Sequence, residues 1–228
     1  MQRIAELFSE STPARGAYRA SRTLFDDVQV RWLVGGTART PRTSAVPGSD
    51  ESLLSLLQQV SLLETTGYMR NTLLRDSDVF SMAHGLELRV PFVDHEVARV
   101  ARRFPDSEKL QQGVSKPILV RTMQDILPAS SLGRPKQGFT LPFERWMRNE
   151  LFGEIDTVLT SSTMEAVGLN DVGAALVWSA FQARRPGINW SRPWALFTLK
   201  RWADQNDVSF VPPTPTQRSQ PAGLIATL

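Results

Sequence analysis

The chain has no cysteine in 228 residues. That excludes disulfides, thiolate metal sites and a cysteine nucleophile within it. Histidine is nearly absent too: His84 and His95 are the only two, which excludes a histidine-rich metal centre. No uninterrupted apolar stretch approaches the ~20 residues that span a bilayer. The N-terminal MQRIAELFSESTPARG holds no signal-peptide core. These absences predict a soluble, cytoplasmic protein with no membrane partner. Charge of one sign is not concentrated either, since 26 Lys+Arg face 23 Asp+Glu for a net +3. Without a run of like charges, nucleic acid is not expected as a partner. A GxGxxG, a GxSxG and a P-loop are missing. VGGT at 34–37 follows no strand and is followed by no Lys-Ser/Thr, so it does not read as a phosphate loop.

Apolar residues make up 41% of the chain and are spread along most of it, enough for a sizeable core. No segment alternates β-run, helix and β-run, so the chain reads as mainly α. LFDDVQVRWLV (24–34) places Leu24, Phe25, Val28 and Trp32 on one helical face. GGTARTPRTSAVPGSD (35–50) reads as a long loop. DESLLSLLQQVSLLETTGYM resumes a helix with Asp50 or Ser49 as N-cap, and a further helix covers about 68–76. SMAHGLELRV begins loop-like or extended. Asp94 then caps a helix with Val97, Val100, Ala101 and Phe104 as its stripe. GVSKPILVRTMQDILP (113–128) is a helix that Ser115 can cap and Pro128 stops, with Ile118, Leu119, Thr122, Met123 and Ile126 as its buried face. PFERWMRNELFGEI, 170–184 and 191–205 also read as helices. The last twenty residues hold four prolines and read as a disordered tail.

Several charged residues are candidates for chemistry. In GRPKQGF, Pro135 restricts Arg134 and Gly138 permits a bent backbone, so Lys136 and Gln137 sit on a stiff cationic loop suited to an anion. Lys116 stands at a helix start, where free backbone N–H groups and the helix dipole also favour an anion. The two can meet round one phosphate or pyrophosphate, or be two solvated surface lysines. In LLRDSD, Asp76 and Asp78 can hold Mg²⁺ through water or serve as a cap and local ion pair. Glu87 and Arg89 share one side of an extended segment and read as a structural pair.

SMAHGLELRVPFVDHEV, GVSKPILVRTMQDILP and RPKQGFTLPFERWMRNEL, preceded by ETTGYMRNTLLRDSD, resemble in this order the C-terminal half of glutamine-hydrolysing asparagine synthetases. The resemblance covers about residues 17–204 and is most specific over 64–151. It implies the helical half of an adenine-nucleotide α-hydrolase type domain and an ATP-dependent C–N ligase. MgATP activates the aspartate side-chain carboxylate as an acyl-adenylate, and ammonia derived from glutamine attacks it. By the same resemblance, Lys136 stabilises charge at the reacting centre and on departing pyrophosphate, and Lys116 lies near the phosphates. Asp76 and Asp78 match acidic positions on the substrate or metal side. Glu87, Arg89 and Asp94 match the strongest signature, which is read as architecture.

The match also has gaps. Gln2 stands where the family has a catalytic cysteine. Ser-Gly-Gly-x-Asp-Ser and Ser-Gly-x-Gly-x-Asp-Glu are absent, and Val120 replaces a common arginine. The expected organisation is an N-terminal segment (1–16), a helical part of the synthetase domain (17–206) and the tail (207–228), with the parallel-sheet half missing. ATP and Mg²⁺ are implied while their loop is not in the chain, and the chain alone is expected to be inactive. Three accounts follow: a fragment, a chain that complements a companion bearing the sheet, or a non-catalytic helical interaction module. Related cyclases that make β-lactams or lasso peptides use the same domain. In each case helices shaped to cover a sheet expose apolar faces without it, which predicts a partner, self-association or poor solubility.

Overall fold

The structure is a computed structural model that describes residues 10, 12–35, 53–132, 138 and 140–210. The described part is helical. In chain order it holds α1 (Pro13–Arg22), α2 (Asp27–Leu33), α3 (Leu56–Glu64), a π-helical stretch (Thr65–Leu74), α4 (Arg75–Met82) and α5 (His95–Arg103). There follow α6 (Asp106–Lys109), α7 (Pro117–Met123), α8 (Ala129–Leu132), α9 (Phe143–Arg148), α10 (Phe152–Thr160), α11 (Asp171–Gln182) and α12 (Ser191–Gln205). Among the described residues there is no strand, only an isolated bridge between Gln111 and Val114. Among them no helix is long and apolar enough to cross a membrane. The chain divides into two compact units, residues 19–35 with 141–210, and 10–18 with 53–140.

The first unit has a closed apolar core. Trp178 and Phe181 of α11, Met147 of α9, Ile155 and Leu159 of α10 and Leu196 of α12 are all buried in it. Burying Trp178 requires a partner for its indole N–H, and Asp156 Oδ1 accepts it at 2.8 Å. Arg148 satisfies the end of α11. Its guanidinium donates to the carbonyls of Phe181 (2.8 Å) and Gln182 (3.2 Å) and lies 4.2 Å over the Phe181 ring. The turn that follows is closed by Arg185 N–H to Ala180 O and Arg184 N–H to Phe181 O, with Arg184 in the left-handed region.

At the other end of α11, Asn170 Oδ1 accepts from Gly173 N–H at 3.1 Å, while the Asn170 N–H donates to Leu33 O at 2.7 Å. That bond joins the end of α2 to the start of α11. The Trp32 ring then lies where a side chain on residue 173 would be: a Cβ there would stand 2.3 Å from its nearest ring carbon. Glycine is required by this close approach.

Several helix limits differ from the sequence expectation, each for a local reason. The first helix of LFDDVQVRWLV starts at Asp27, because Asp26 and Gln29 form a capping box that leaves Leu24 and Phe25 outside. Leu24 and Val28 face solvent, and the residues buried from α2 are Gln29 and Leu33. The next helix starts at Leu56 under a Ser55–Gln58 capping box, so neither Ser49 nor Asp50 caps it. It continues through 68–76 into α4 as one rod, and Ser81 and Met82 remain helical. PFERWMRNELFGEI breaks at 149–151, where the Asn149 side chain returns to Arg145 O at 2.8 Å and competes with the ladder. The loop 36–52, the tail 211–228 and most of 1–11 lie outside the described residues.

The second unit is built differently. Its main packing is between neighbours in sequence: α3 and α4 with the π stretch, α5 with the 3₁₀ turn Pro91–Val93, α6 with α7. Most of its large apolar side chains lie open to solvent: Phe80 is 69% exposed, Phe92 68% and Ile126 71%. The expected stripe of α5 is not covered, with Val97 and Val100 both exposed, and Thr122 and Ile126 drop out of the expected buried face of 113–128. The periodicity is present; among the described residues no surface covers it.

Helical Gly→Ala is normally favourable by ~1 kcal/mol. Gly173→Ala is expected instead to cost about 1–3 kcal/mol, because the Trp32 ring must shift to admit the methyl. Urea unfolding followed by tryptophan fluorescence checks the sign.

Candidate functional site

The described candidate residues, Asp76, Asp78, Glu87, Arg89, Asp94 and Lys116, lie in the second unit. α4 carries Asp76 and Asp78 in its first turn, both exposed. Two positions along a helix are about 200° apart round its axis. The carboxylates therefore diverge, and the helix does not bring them together round one ion. Among the described residues no three acidic or histidine side chains form a metal-holding group.

α4 is stopped by a hydrogen-bonded turn at Gly85, whose φ is 66°. Leu86 N–H donates to Ser81 O at 3.0 Å and Gly85 N–H to Met82 O at 2.9 Å, the two bonds of a Schellman motif. The chain then runs without regular structure through Leu86–Val90. Glu87 and Arg89 pair within it, Arg89 Nε donating to Glu87 Oε1 at 3.1 Å. The pair is open to water, with 84% of the Arg89 side chain and 71% of Glu87 exposed. Asp94 caps α5, its Oδ1 accepting from Glu96 N–H at 2.7 Å. His84 lies exposed in the turn after α4. His95, also exposed, has Nε2 3.3 Å from Glu96 Oε1.

Lys116 is the unusual member. Gln111–Val114 forms a turn closed by Val114 N–H to Gln111 O at 3.2 Å, with Gly113 at φ 78°. Two residues later Lys116 has φ 56° and ψ 56°, left-handed, and stands as the N-cap of α7 in place of the expected Ser115. No side chain caps this helix. Pro117, at the first helical position and buried, has no N–H to offer. A side chain in the left-handed region costs roughly 1–2 kcal/mol. Arg184 and Asp207 share that conformation, but both follow a helix end, where it is common. Lys116 opens one. α7 is tied to α6 by an ion pair between Arg121 and Glu108.

Lys136, with Gln137, lies outside the described residues, so the expected meeting of Lys116 and Lys136 falls outside them too. Two features escape the sequence reading. One is the backbone of Lys116, for which the signal is Pro117, since proline disfavours right-handed helix in the residue before it. The other is a contact between Tyr18 and the helix at Gly67. There the signal is the isolated glycine in TTGY. The exposed lysine suits a phosphate. The diverging acids do not suit a protein-held Mg²⁺.

The asparagine synthase family model matches residues 4–204. The chain belongs to the asparagine synthase family. It is 32% identical over 118 residues to glutamine-hydrolyzing asparagine synthetase 1 of Bacillus subtilis, a match covering 52% of this chain and 19% of that protein. To a putative glutamine-hydrolyzing asparagine synthetase of Mycobacterium tuberculosis it is 43% identical over 81 residues, 36% of this chain and 12% of the relative. To the asparagine synthetase of Rattus norvegicus it is 39% identical over 67 residues, 28% of this chain and 12% of the relative. The chain thus spans a fifth or less of the length of these curated relatives in the aligned stretch. No solved structure matches.

Two expectations follow from this family member's geometry. Lys116→Gly relieves the left-handed strain and raises stability by about 1 kcal/mol, measured by denaturant midpoint. Removal of the exposed Glu87–Arg89 pair by Glu87→Gln changes stability by less than about 0.5 kcal/mol, whereas Asp94→Ala costs about 1 kcal/mol through the lost cap.

Proposed function

We propose that the chain is the helical wall of an ATP-dependent amide-forming synthetase, and that it works with a polypeptide carrying the nucleotide-binding sheet. The observation that carries this reading is the left-handed backbone of Lys116. A lysine held exposed in a strained conformation points to a role other than stability. In the reaction that the family resemblance implies, the aspartate side-chain carboxylate attacks the α-phosphorus of ATP and pyrophosphate departs. Ammonia released from glutamine then attacks the acyl carbon and AMP leaves.

Lys116 and Lys136 are assigned to the phosphates, with Lys136 also facing the charge that develops as pyrophosphate leaves. Cations already in place need no reorganisation during that step. Asp76 and Asp78 are assigned to the substrate side rather than to a shared metal. Glu87, Arg89 and Asp94 are assigned to shaping the segment Leu86–Val90 and the start of α5. The exposed apolar residues, Phe80 and Phe92 among them, support a sheet-bearing companion, which would take them out of water.

The same exposed face favours a second reading, a non-catalytic helical interaction module, in which the lysines are free to diverge without consequence. A β-lactam or lasso-peptide type cyclase remains the same chemistry with a different amine, and the helical half does not discriminate among them.

ATP–pyrophosphate exchange with aspartate and Mg²⁺ tests the proposal, run on the full chain alone and then with lysate from its source. Exchange is expected only with lysate, and to fall by about a hundredfold in Lys136→Ala and in Lys116→Gly. Equal exchange with wild type, variants and lysate alone would overturn it and leave the interaction module.

A further inference from the structure

We infer that Tyr18 is a positioning residue for the acid-bearing helix. Its hydroxyl, seated in a notch at Gly67, holds Thr65–Leu74 in π winding and so sets the rotation of α4, with Asp76 and Asp78 on it. Tyr18, Gly67 and Tyr68 belong to the same unit.

The argument begins with the ladder of α3. An α-helix would pair the Tyr68 N–H with the carbonyl of Glu64, four residues back. Here this N–H donates to the Tyr18 hydroxyl at 3.0 Å, across fifty positions of sequence. Just before it, the hydroxyls of Thr65 and Thr66 bond to the carbonyls of Ser61 and Leu62, each at 2.7 Å. Threonine hydroxyls returning to carbonyls four residues back loosen and bend a helix. Gly67 completes the device. A Cβ there would lie 2.5 Å from the Tyr18 hydroxyl, so only glycine leaves the oxygen room to enter.

Side-chain oxygens inserted into a helical ladder are an identifiable cause of its distortion. π geometry is otherwise confined mostly to single turns. Here it runs for ten residues, Thr65–Leu74, spans the point of insertion and ends where α4 begins. Winding by i→i+5 bonds puts more residues in each turn and less rise on each residue than α winding. Ten residues wound one way or the other therefore leave α4 rotated differently about the rod and at a different height. Neither Asp76 nor Asp78 has a side-chain hydrogen bond among those described that could set its direction, so the direction comes from the backbone. The significance of the two acids rests on the proposed synthetase reading. The winding does not.

The test uses the absence of cysteine. In the full chain, S61C and V79C place spin labels on exposed sites either side of the π stretch. Pulsed electron–electron resonance then reads their separation with no nucleotide present, so failure of the synthetase proposal leaves this result untouched. Tyr18→Phe removes only the oxygen. The inter-label distance is expected to lengthen by a few ångströms as the stretch relaxes toward α winding, with the circular dichroism helix signal kept. Gly67→Ala, which expels the hydroxyl by filling the notch, is expected to shift it the same way. Unchanged distances in both variants would overturn the inference. So would loss of the helical signal in Tyr18→Phe, because the hydroxyl would then be holding up the fold rather than choosing its winding.

Discussion

An apolar stripe on a helix stabilises a protein only when another surface removes it from water. The first unit meets that condition internally. α10, α11 and α12 cover one another, the Trp178 indole finds Asp156, and the last carbonyls of α11 find Arg148. The second unit has stripes of the same kind but little to set against them, since its helices pack mainly on their sequence neighbours. Stability and candidate chemistry are thus divided between the two units, with the closed core in one and the residues assigned to function in the other.

That division explains the local devices in the second unit. Where a core is thin, direction must come from the backbone and from short-range hydrogen bonds. The Schellman turn at Gly85 releases the segment Leu86–Val90, the Asp94 cap starts α5, and the turn at Gly113 delivers Lys116 in a left-handed conformation. Each is specified within about five residues. The Tyr18 contact is the exception, reaching the helix from far along the chain. Such a framework orients charged groups even without a packed interior. Its weakness is that nothing local holds the apolar faces, which is the property expected of a wall shaped for another surface.

Much of this was legible in the sequence, unevenly. α12 begins and ends where the pattern places it, since Pro193 in its first turn and the charged residues near its end mark its limits. Asp94 is the cap it was read to be, and Glu87 pairs with Arg89 as their spacing predicts. The signature motifs led to the family. Periodicity misled where it stood for burial: the stripe Val97, Val100 is apolar and evenly spaced, and both residues face solvent. It also ran α2 back to Leu24, because hydrophobicity continues past the point where the Asp26–Gln29 box starts the helix.

The sequence by itself determined the helical class, the family and the Asp94 cap, because these depend on residue type at short spacing. Only the tertiary structure decided that the stripe Val97, Val100 stays exposed, and that Gly173 and Gly67 are notches for Trp32 and Tyr18. Such features depend on which backbone carbonyl each N–H reaches and on which distant ring arrives beside it. Those outcomes are set by packing between residues far apart in the chain, which no local pattern encodes.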